Sequence, residues 1–479
     1  MDPMVRPELR LLSQEQIRFI HDRSLAILGR VGVRVDSPRA LKVLLATEGV
    51  GEAPGAASGS GRVVFEPSAV EWALDLAPNV VQVYDRRGVP AFRVGEDRTR
   101  FGVGSTNLFF QDPMTDELSR FSREHMAVSA RLAHALSNYD MVSTVGVVQD
   151  YPAESADLYA SLELVANTTK PLVLLISGED LFEPALDLME SLHPDLAEKP
   201  FLIPYLNPVT PLVMNQDTAE KLMTSVERGL PVIYSNLGMA GMSTPITAAG
   251  TLALLNAELL AGLVLAQAVR PGAPVILGSL PSFFDMKTLQ DFFDTHSFLL
   301  NQACAEMMAH YGIPHAGTSG CGGGWSADLA AAGDIWMNHL LSVIGRSGMA
   351  PFVSGTLGSK AFSPLLTVYG DDVIGQVVRL SEGFPIGQEE LDLDTVVDQG
   401  PGGSFLMSEL TMASYRGAYY ESKLSPRVGL EEWEERGRPR YEDLLREHTR
   451  ELLQSPTTLD DHDDLIGKGE AFIKALGFA

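Results

Sequence analysis

The sequence predicts an α/β protein built on a (β/α)8 TIM barrel, with an N-terminal helix and hairpin cap and a C-terminal helical extension. Short β-rich runs that end in small or polar residues alternate with long helical stretches. Eight such runs begin 29 to 43 residues apart between residues 101 and 356, close to the roughly 250 residues that such a barrel takes. A doubly wound open sheet is less favoured, because no GxGxxG turn follows the first strand.

The first 97 residues predict the cap. Residues 14–31 have helical spacing, and Ser37, followed by Pro38 at the first helical position, predicts a second helix that ends near Thr47. A Gly- and Ala-rich loop and the strand pair VVQVYD and AFRVG come next. The predicted division of the chain is 1–97 for the cap, 98–385 for the barrel and 386–479 for the extension.

The predicted barrel strands share Val, Ile or Leu cores followed by polar or small tips. They are FGVGST (101–106), VSTVGVV (142–148), PLVLLIS (171–177), FLIPYL (201–206), PVIYSN (231–236), PVILGS (274–279), IPHAGTS (313–319) and PFVSGT (351–356). Each gap between them holds a helical pattern. The apolar stretch 246–269 contains Asn256, Glu258 and Gln267, so we expect a buried core helix there and no membrane span.

The predicted extension begins after another helix that follows Asp371. It contains the Gly- and Pro-rich QGPGGSF (399–405) and a highly charged helix from Glu431 to Leu453. A charged helix of this kind packs one face across the barrel or against a neighbouring subunit, which makes a homo-oligomer possible.

Composition excludes several function classes. Acidic side chains outnumber basic ones by 62 to 36, for a formal net charge of -26. Binding to nucleic acid or to an anionic membrane needs clustered Lys and Arg, so neither is expected. The two cysteines, Cys304 and Cys321, cannot form a disulfide framework, and the N-terminus MDPMVRPELRLL lacks an apolar signal core. The sequence therefore predicts a cytoplasmic protein.

The carboxyl ends of parallel barrel strands form the chemistry-bearing face. Here they carry neutral polar groups and aromatic rings, with Lys360 as the basic residue near the last strand. Aromatic rings around a neutral pocket suit a cation without hydrogen-bond donors, such as a quaternary ammonium, although each ring can also be ordinary packing. The predicted substrate pocket comprises Gln149, Tyr205, Asn207, Tyr234, Asn236, Phe283, Cys321 and Trp325.

Cys321 opens the permissive run CGGGW after the seventh predicted strand. It is open to three interpretations: a thiol nucleophile, a metal ligand, or an inert small side chain that lines the pocket. His315 lies six residues earlier, and a third Cys or His at ligand spacing is missing from the sequence around them. We therefore predict no metal site, and the sequence does not identify a catalytic residue.

Several long motifs resemble one known family. PITAAGTLALLNAELLAGLVLAQAVRPGAPVILGS with DMKT, FGVGSTNLFFQDPMTDELSRFS, and the later GPGGSFL, EEWEERG and HTRELL are similar to the trimethylamine methyltransferase family over nearly the whole chain. The resemblance implies a TIM-barrel enzyme that passes a methyl group from a methylated amine to the cobalt of a separate corrinoid protein. Cobalamin would then arrive on that partner, with no cofactor bound tightly by this chain.

Trimethylamine-specific members of that family carry pyrrolysine just after a Ser-Gly pair. Here Ser319 and Gly320 are followed by Cys321, so the chain resembles the branch without pyrrolysine, which includes enzymes that demethylate glycine betaine. It departs from the family pattern at 408–410 and at 321–324. The resemblance thus implies a corrinoid-dependent methyltransferase for a quaternary amine. Two alternatives stay open: a non-catalytic binder of methylated amines or of a corrinoid protein, and a barrel lyase.

Overall fold

The computed structural model describes residues 4–55, 60–96, 98–104, 106–317, 323–387, 390, 392–454 and 458–477. The described strands, in chain order, are Met4–Val5 (β1), Val33–Val35 (β2), Val50–Glu52 (β3), Arg62–Phe65 (β4), Val81–Tyr84 (β5), Pro90–Val94 (β6), Arg100–Val103 (β7), Phe109–Gln111 (β8), Leu118–Arg120 (β9), Met141–Ser143 (β10), Leu172–Leu174 (β11), Leu202–Leu206 (β12), Val213–Met214 (β13), Val232–Ala240 (β14), Val275–Asp285 (β15), Gln290–Phe292 (β16), Met349–Val353 (β17), Gly355–Thr356 (β18), Ala361–Phe362 (β19) and Phe384–Pro385 (β20).

The described α-helices are Gln14–Arg30 (α1), Pro38–Leu45 (α2), Pro67–Leu76 (α3), Arg123–Ala135 (α4), Ala153–Asn167 (α5), Phe182–Leu192 (α6), Gln216–Glu227 (α7), Ala248–Val269 (α8), Thr295–Tyr311 (α9), Leu329–Ile344 (α10), Pro364–Glu382 (α11), Leu393–Gln399 (α12), Glu409–Ser414 (α13), Leu430–Glu435 (α14), Tyr441–Gln454 (α15) and His462–Ala475 (α16).

Eight parallel segments close into a barrel, as the sequence predicts. Neighbouring strands pair in the order β7, β10, β11, β12, β14 and β15, and β17 pairs back onto β7. Within the described residues, the seventh position is formed by the short segment around His315 and Ala316, since His315 bridges Leu277 of β15 and Ala316 bridges Met349 of β17. The N–H of Ala316 donates to the Leu277 carbonyl at 3.0 Å, and the N–H of Met349 donates to the His315 carbonyl at 2.8 Å. This closure excludes the open sheet.

The interior of the barrel is an apolar core sealed at its amino-terminal end. Alternate residues of the strands point inward, among them Val173, Ile203, Ile233 and Ile276. The hairpin of β5 and β6 adds Val81, Val83, Phe92 and Val94 to the same cluster. Its Tyr84 N–H donates to the Pro200 carbonyl, just before β12 begins, at 3.0 Å. The hairpin therefore plugs the amino-terminal end of the barrel.

Helix α8 is the core helix of the outer layer. It is long and apolar enough to span a membrane by length and composition, but 83% of its apolar window is buried inside the protein. It packs against α1, α3 and β14. A Cβ on its Gly262 would lie 2.2 Å from the ring of Tyr234, so a glycine is required for this close approach. We assign the stretch to the core.

Local signals in the cap are read correctly from the sequence. Helix α2 begins at Pro38, and the N–H of Ala40 donates to the Ser37 hydroxyl at 3.0 Å. Helix α1 begins one residue after its cap, Ser13. The three-part division at residues 97 and 385 stays a prediction.

The charged C-terminal helix differs from the prediction. The range 431–453 holds two helices, α14 and α15, because Gly437 has a left-handed φ of 83° and Pro439 follows it. Strands β14 and β15 are also longer than predicted. They continue as a parallel pair beyond the barrel, and β15 then turns back into β16.

Candidate functional site

The carboxyl ends of the first four barrel strands and the start of α7 enclose a cavity of about 370 Å³. We call it the mouth cavity. It lies on the face where enzymes of this fold place their active sites. Its lining residues are Thr106, Val147, Leu175, Ile176, Ser177, Tyr205, Leu206, Asn207, Asp217, Thr218 and Lys221.

Tyr205 supplies the aromatic wall of the mouth cavity. It points inward from β12 and is only 7% exposed, and its hydroxyl donates to the Ser235 hydroxyl at 2.8 Å. The ring meets Phe352 of β17 in a T-shaped contact, with 4.8 Å between centroids. Burial raises the pKa of Tyr205 to about 12, so the phenol is neutral at physiological pH. The floor of the mouth is therefore aromatic and uncharged.

Lys221 and Asp217 form an ion pair one helical turn apart at the start of α7. The Lys221 Nζ lies 2.9 Å from Asp217 Oδ1 and donates to the Ile176 carbonyl at 2.9 Å. Lys221 is buried, and its charge is balanced by this carboxylate. The pair therefore ties α7 to the end of β11 and leaves the cavity without net charge from these two groups.

The residues at the strand ends did not predict this pair. Residues predicted from strand ends lie within a few positions of them, whereas Lys221 reaches the mouth from the second turn of the following helix. The available signal was the Asp-to-Lys spacing of four in QDTAEK (216–221), at the start of the helix that follows the fourth barrel strand.

A second carboxylate shapes the rim. Asp157 of α5 is buried, and its Oδ2 accepts hydrogen bonds from the N–H groups of Ser177 at 2.8 Å and Gly178 at 3.2 Å. It holds the backbone that follows β11 in place beside the cavity. Asn207 is fixed from the other side, since the Thr218 hydroxyl donates to its carbonyl at 2.6 Å.

Of the eight predicted pocket residues, Tyr205 and Asn207 share the mouth cavity. The placement of Tyr234 and Asn236 differs from the prediction. Both lie on the outer face of β14, where the Tyr234 ring packs against Gly262 of α8. Because strand side chains alternate, the inward residue between them is Ser235, the partner of Tyr205.

Asn236 belongs to a buried network around Glu258 of α8. Its amide donates to Glu258 Oε2 at 2.8 Å, and its Oδ1 accepts from the Ser279 hydroxyl at 2.8 Å. Glu258 also accepts from the Thr210 hydroxyl at 2.8 Å and the Leu212 N–H at 2.6 Å. Burial raises the pKa of this carboxyl group. The network fixes the loop after β12 to α8, outside the barrel wall.

Three further predicted residues stand on the same side as the mouth but outside the lining of its cavity. Gln149 is exposed, and its amide donates to the Leu108 carbonyl at 2.5 Å. Phe283 is half-buried on the extension of β15, against Phe292 of β16. Trp325 is 78% exposed, and its carbonyl accepts from the Gln111 amide at 3.0 Å. Cys321 lies outside the described residues.

His315 faces outward from the seventh strand position. Its Nδ1 lies 2.8 Å from the Ser347 carbonyl, and burial lowers its pKa to about 4, so the ring is neutral and donates through Nδ1. Its inward neighbour Ala316 belongs to the barrel core. Within the described residues, no group of three or more His, Cys, Asp or Glu side chains is placed to hold a metal ion.

A larger cavity, about 560 Å³, lies at the opposite end of the barrel. It is lined by the N-terminal segment around Arg10, by Glu306 of α9 and by Gly348, which precedes β17. The Glu306 carboxylate accepts from the N–H groups of Leu11 and Leu12 at 2.6 and 2.8 Å. Because this cavity is far from the carboxyl ends of the barrel strands, we take the mouth cavity as the candidate site.

Comparisons with known proteins show which family and which relatives the chain is similar to. A family model described as "Trimethylamine methyltransferase (MTTB)" matches residues 3–466. A glycine betaine methyltransferase of Desulfitobacterium hafniense (strain Y51) is 26% identical over 483 residues, which cover 98% of each chain. The trimethylamine methyltransferase MttB of Methanosarcina thermophila is 26% identical over 416 residues, 84% of each chain.

Among solved structures, the monomethylamine methyltransferase MtmB of Methanosarcina barkeri aligns with a TM-score of 0.47. The sequence identity is 11%, and the alignment covers 97% of this chain and 98% of that one.

Proposed function

The chain belongs to the trimethylamine methyltransferase family, and from that premise we propose that it moves a methyl group from a quaternary amine to the Co(I) of a separate corrinoid protein. The observation that carries the choice of a quaternary amine is the mouth cavity, which has the Tyr205 ring in its wall and whose only described ionic groups are the compensated pair Lys221 and Asp217. The full-length similarity to a glycine betaine methyltransferase supports the same choice.

The cavity suits an ammonium group that cannot donate hydrogen bonds. Tyr205 lines the cavity, and a ring whose face meets a cation contributes roughly 0.5–2 kcal/mol to its binding. Lys221 is masked by Asp217, so it does not repel the cation. Tyr205 keeps its proton, and its hydroxyl is engaged with Ser235. These groups orient the amine and leave its methyl groups free of polar contacts.

Demethylation of a quaternary amine requires little acid–base chemistry from the protein. The breaking C–N bond leaves its electron pair on nitrogen, so the departing tertiary amine is neutral and needs no proton. The corrinoid protein supplies the nucleophilic cobalt that accepts the methyl group. The residues of the mouth therefore act by binding and orienting the substrate and by excluding water. A neutral Tyr205 and a paired Lys221 fit that task.

Roles for the other predicted residues are part of this proposal. Trp325 and Phe283 stand above the barrel, where they would contact the bound amine or the approaching partner. Gln149 would shape the rim through its bond to the Leu108 carbonyl. Cys321 replaces pyrrolysine and would line the pocket as an ordinary side chain. No tightly bound cofactor is proposed for this chain.

The test separates binding from turnover. We expect the purified chain to bind glycine betaine or a related quaternary amine by calorimetry in the absence of corrinoid. We also expect it to methylate a Co(I) corrinoid protein with that amine, and to leave trimethylamine unused. Methylation of the corrinoid can be followed by its absorption spectrum.

Two outcomes would contradict the proposal. Robust turnover of trimethylamine would overturn the assignment to a quaternary amine. Tight binding of amines without methyl transfer to any of several corrinoid proteins would favour the non-catalytic alternative.

A further inference from the structure

Five large hydrophobic side chains are exposed on the segments around the mouth of the barrel, and we call them the rim patch. They are Leu108, Met286, Leu289, Trp325 and Leu329. They follow the first, sixth and seventh positions of the barrel, so all five lie on the face that holds the carboxyl ends of the strands. None of them is among the described residues that line the mouth cavity. The rim patch is therefore an apolar surface beside the cavity and separate from its wall.

The backbone under Trp325 is held from several sides. Its N–H donates to the Asp328 carboxylate at 2.9 Å, and its carbonyl accepts from the amide of the buried Gln111 at 3.0 Å. The carbonyl of Gly324, directly before it, accepts from the hydroxyl of the buried Thr356 at 2.6 Å. A large aromatic side chain is thus presented to solvent on a backbone that is already ordered. Binding through such a residue costs little further conformational entropy.

The loop that carries Thr356 also holds other members of the rim patch. At the far end of this loop, Lys360 Nζ donates to Gln290 Oε1 at 3.3 Å, one residue after Leu289. The Lys360 carbonyl accepts from the Leu108 N–H at 2.9 Å. The side chains of the patch are therefore grouped around one loop, and a single partner can cover them together.

We infer that the rim patch is the surface on which the corrinoid protein docks, with Trp325 as its anchor. This inference rests on the proposed function, in which the cobalt of a separate protein must come to the mouth and that protein must cover the segments around it. Exposed apolar patches mark interaction sites, and Trp is enriched among the residues that carry most of the binding energy. The exposed Lys287 and Lys360 give the patch the polar border that such interfaces have. An apolar contact here would also exclude water during methyl transfer.

The experiment measures binding of the full-length chain to a panel of purified, cobalamin-loaded corrinoid proteins by biolayer interferometry, without amine. Trp325→Ala should raise the dissociation constant by at least about 10-fold, because it removes the anchor. Leu289→Asn should raise it by about 3-fold, and Asn tolerates the left-handed φ of 55° at this position.

The matched control is Phe384→Ala, at an exposed aromatic residue on the opposite end of the barrel. Helix α11 follows the eighth strand and runs antiparallel to it, so Phe384, two residues beyond the end of this helix, lies at the amino-terminal end. This variant should bind the corrinoid protein as the parent does.

Each outcome decides the inference. A parent that binds no member of the panel would overturn it, and so would equal binding by the parent and Trp325→Ala. A loss of amine affinity in Trp325→Ala that exceeds its loss of corrinoid affinity would assign this residue to the substrate pocket instead. Circular dichroism should report unchanged folding, since the replaced side chains are exposed; if Trp325→Ala were unfolded, Met286→Ala and Leu289→Asn would carry the test.

Failure of the inference and failure of the proposed function can be told apart because docking is measured without turnover. A chain that docks through the rim patch but transfers no methyl group would contradict the proposed function and keep this inference. Methyl transfer by a parent whose affinity for the corrinoid protein is unchanged in Trp325→Ala and Leu289→Asn would do the reverse.

Discussion

Tyr205 and Tyr234 lie on neighbouring strands, and both are buried, yet they belong to different parts of the molecule. Tyr205 points into the barrel and reaches the mouth cavity, whereas Tyr234 points outward against α8. The register shows the offset directly, because Tyr205 pairs with Ile233 and Leu206 pairs with Tyr234. The lesson is that strand parity, and not residue type or distance from the strand end, decides which side chains can meet a substrate.

Strand side chains that point into the barrel (the inner layer) should thus determine binding, and those that point outward against the helices (the outer layer) should determine stability. The largest expected effect is in the outer layer, at Gly262. Gly262→Ala places a Cβ 2.2 Å from the Tyr234 ring and should lower the free energy of unfolding by about 3 kcal/mol. Gly333→Ala in α10 is the matched control, since nothing lies within 4 Å of its added Cβ. It should be neutral or stabilising in the same chemical denaturation. Equal destabilisation by both would refute the packing argument.

The second effect concerns His315, also on an outer face. Its pKa is lowered to about 4 when folded and is about 6.5 when unfolded, so the unfolded state binds more protons between these values. Stability should therefore fall as pH drops from 6.5 to 4, by roughly 3 kcal/mol from this residue. His315→Asn keeps a donor for the Ser347 carbonyl and should flatten that part of the profile. If the unfolding free energy of the variant falls as steeply between pH 6.5 and 4 as that of the parent, His315 is not the residue responsible.

The third effect tests the inner layer. Tyr205→Leu should weaken binding of the quaternary amine by about 1–2 kcal/mol, because it removes the ring of the mouth cavity. Tyr234→Leu should leave the affinity unchanged, although both variants lose stability. Isothermal titration calorimetry on the folded fraction distinguishes them. Equal losses of affinity in the two variants would contradict the claim that Tyr205, and not Tyr234, contacts the amine.

The smallest effect is expected at the rim. Trp325 is largely exposed, and cation–π contacts at exposed sites contribute roughly 0.5–1 kcal/mol. Trp325→Ala should therefore weaken amine binding less than Tyr205→Leu does. A larger effect would move the site from the mouth cavity to the rim.

The fold could be predicted well because its signals are local and repeated. Each barrel strand is an apolar run bounded by turn residues, and the even spacing of these runs predicted the closed barrel. Caps such as Ser37 act on the next three residues, so they too could be read from the sequence. Among the described residues, the seventh predicted strand is represented by the bridges at His315 and Ala316, because pairing depends on neighbours distant in the chain.

The site was harder to predict because it depends on direction. Choosing polar and aromatic residues near strand ends selected Tyr205 and Asn207, which line the candidate cavity, but it could not assign the inward face of β14. It therefore selected Tyr234 and Asn236 in place of Ser235. Lys221 was missed because a helix, and not a strand, carries it to the cavity. Asn236 is bound by Glu258 of α8, and no local sequence pattern predicts that pairing.

The hairpin that plugs the barrel has a kinetic consequence. With the amino-terminal end filled by Val81, Val83, Phe92 and Val94, the proposed substrate site is closed below and opens at the carboxyl ends of the strands. The amine and the corrinoid protein would then approach through the same opening. If the corrinoid protein docks over this opening as proposed, the small molecule must enter before it, and the demethylated amine can depart only after the protein has left. The proposed site thus implies a compulsory order of binding and release in each catalytic cycle.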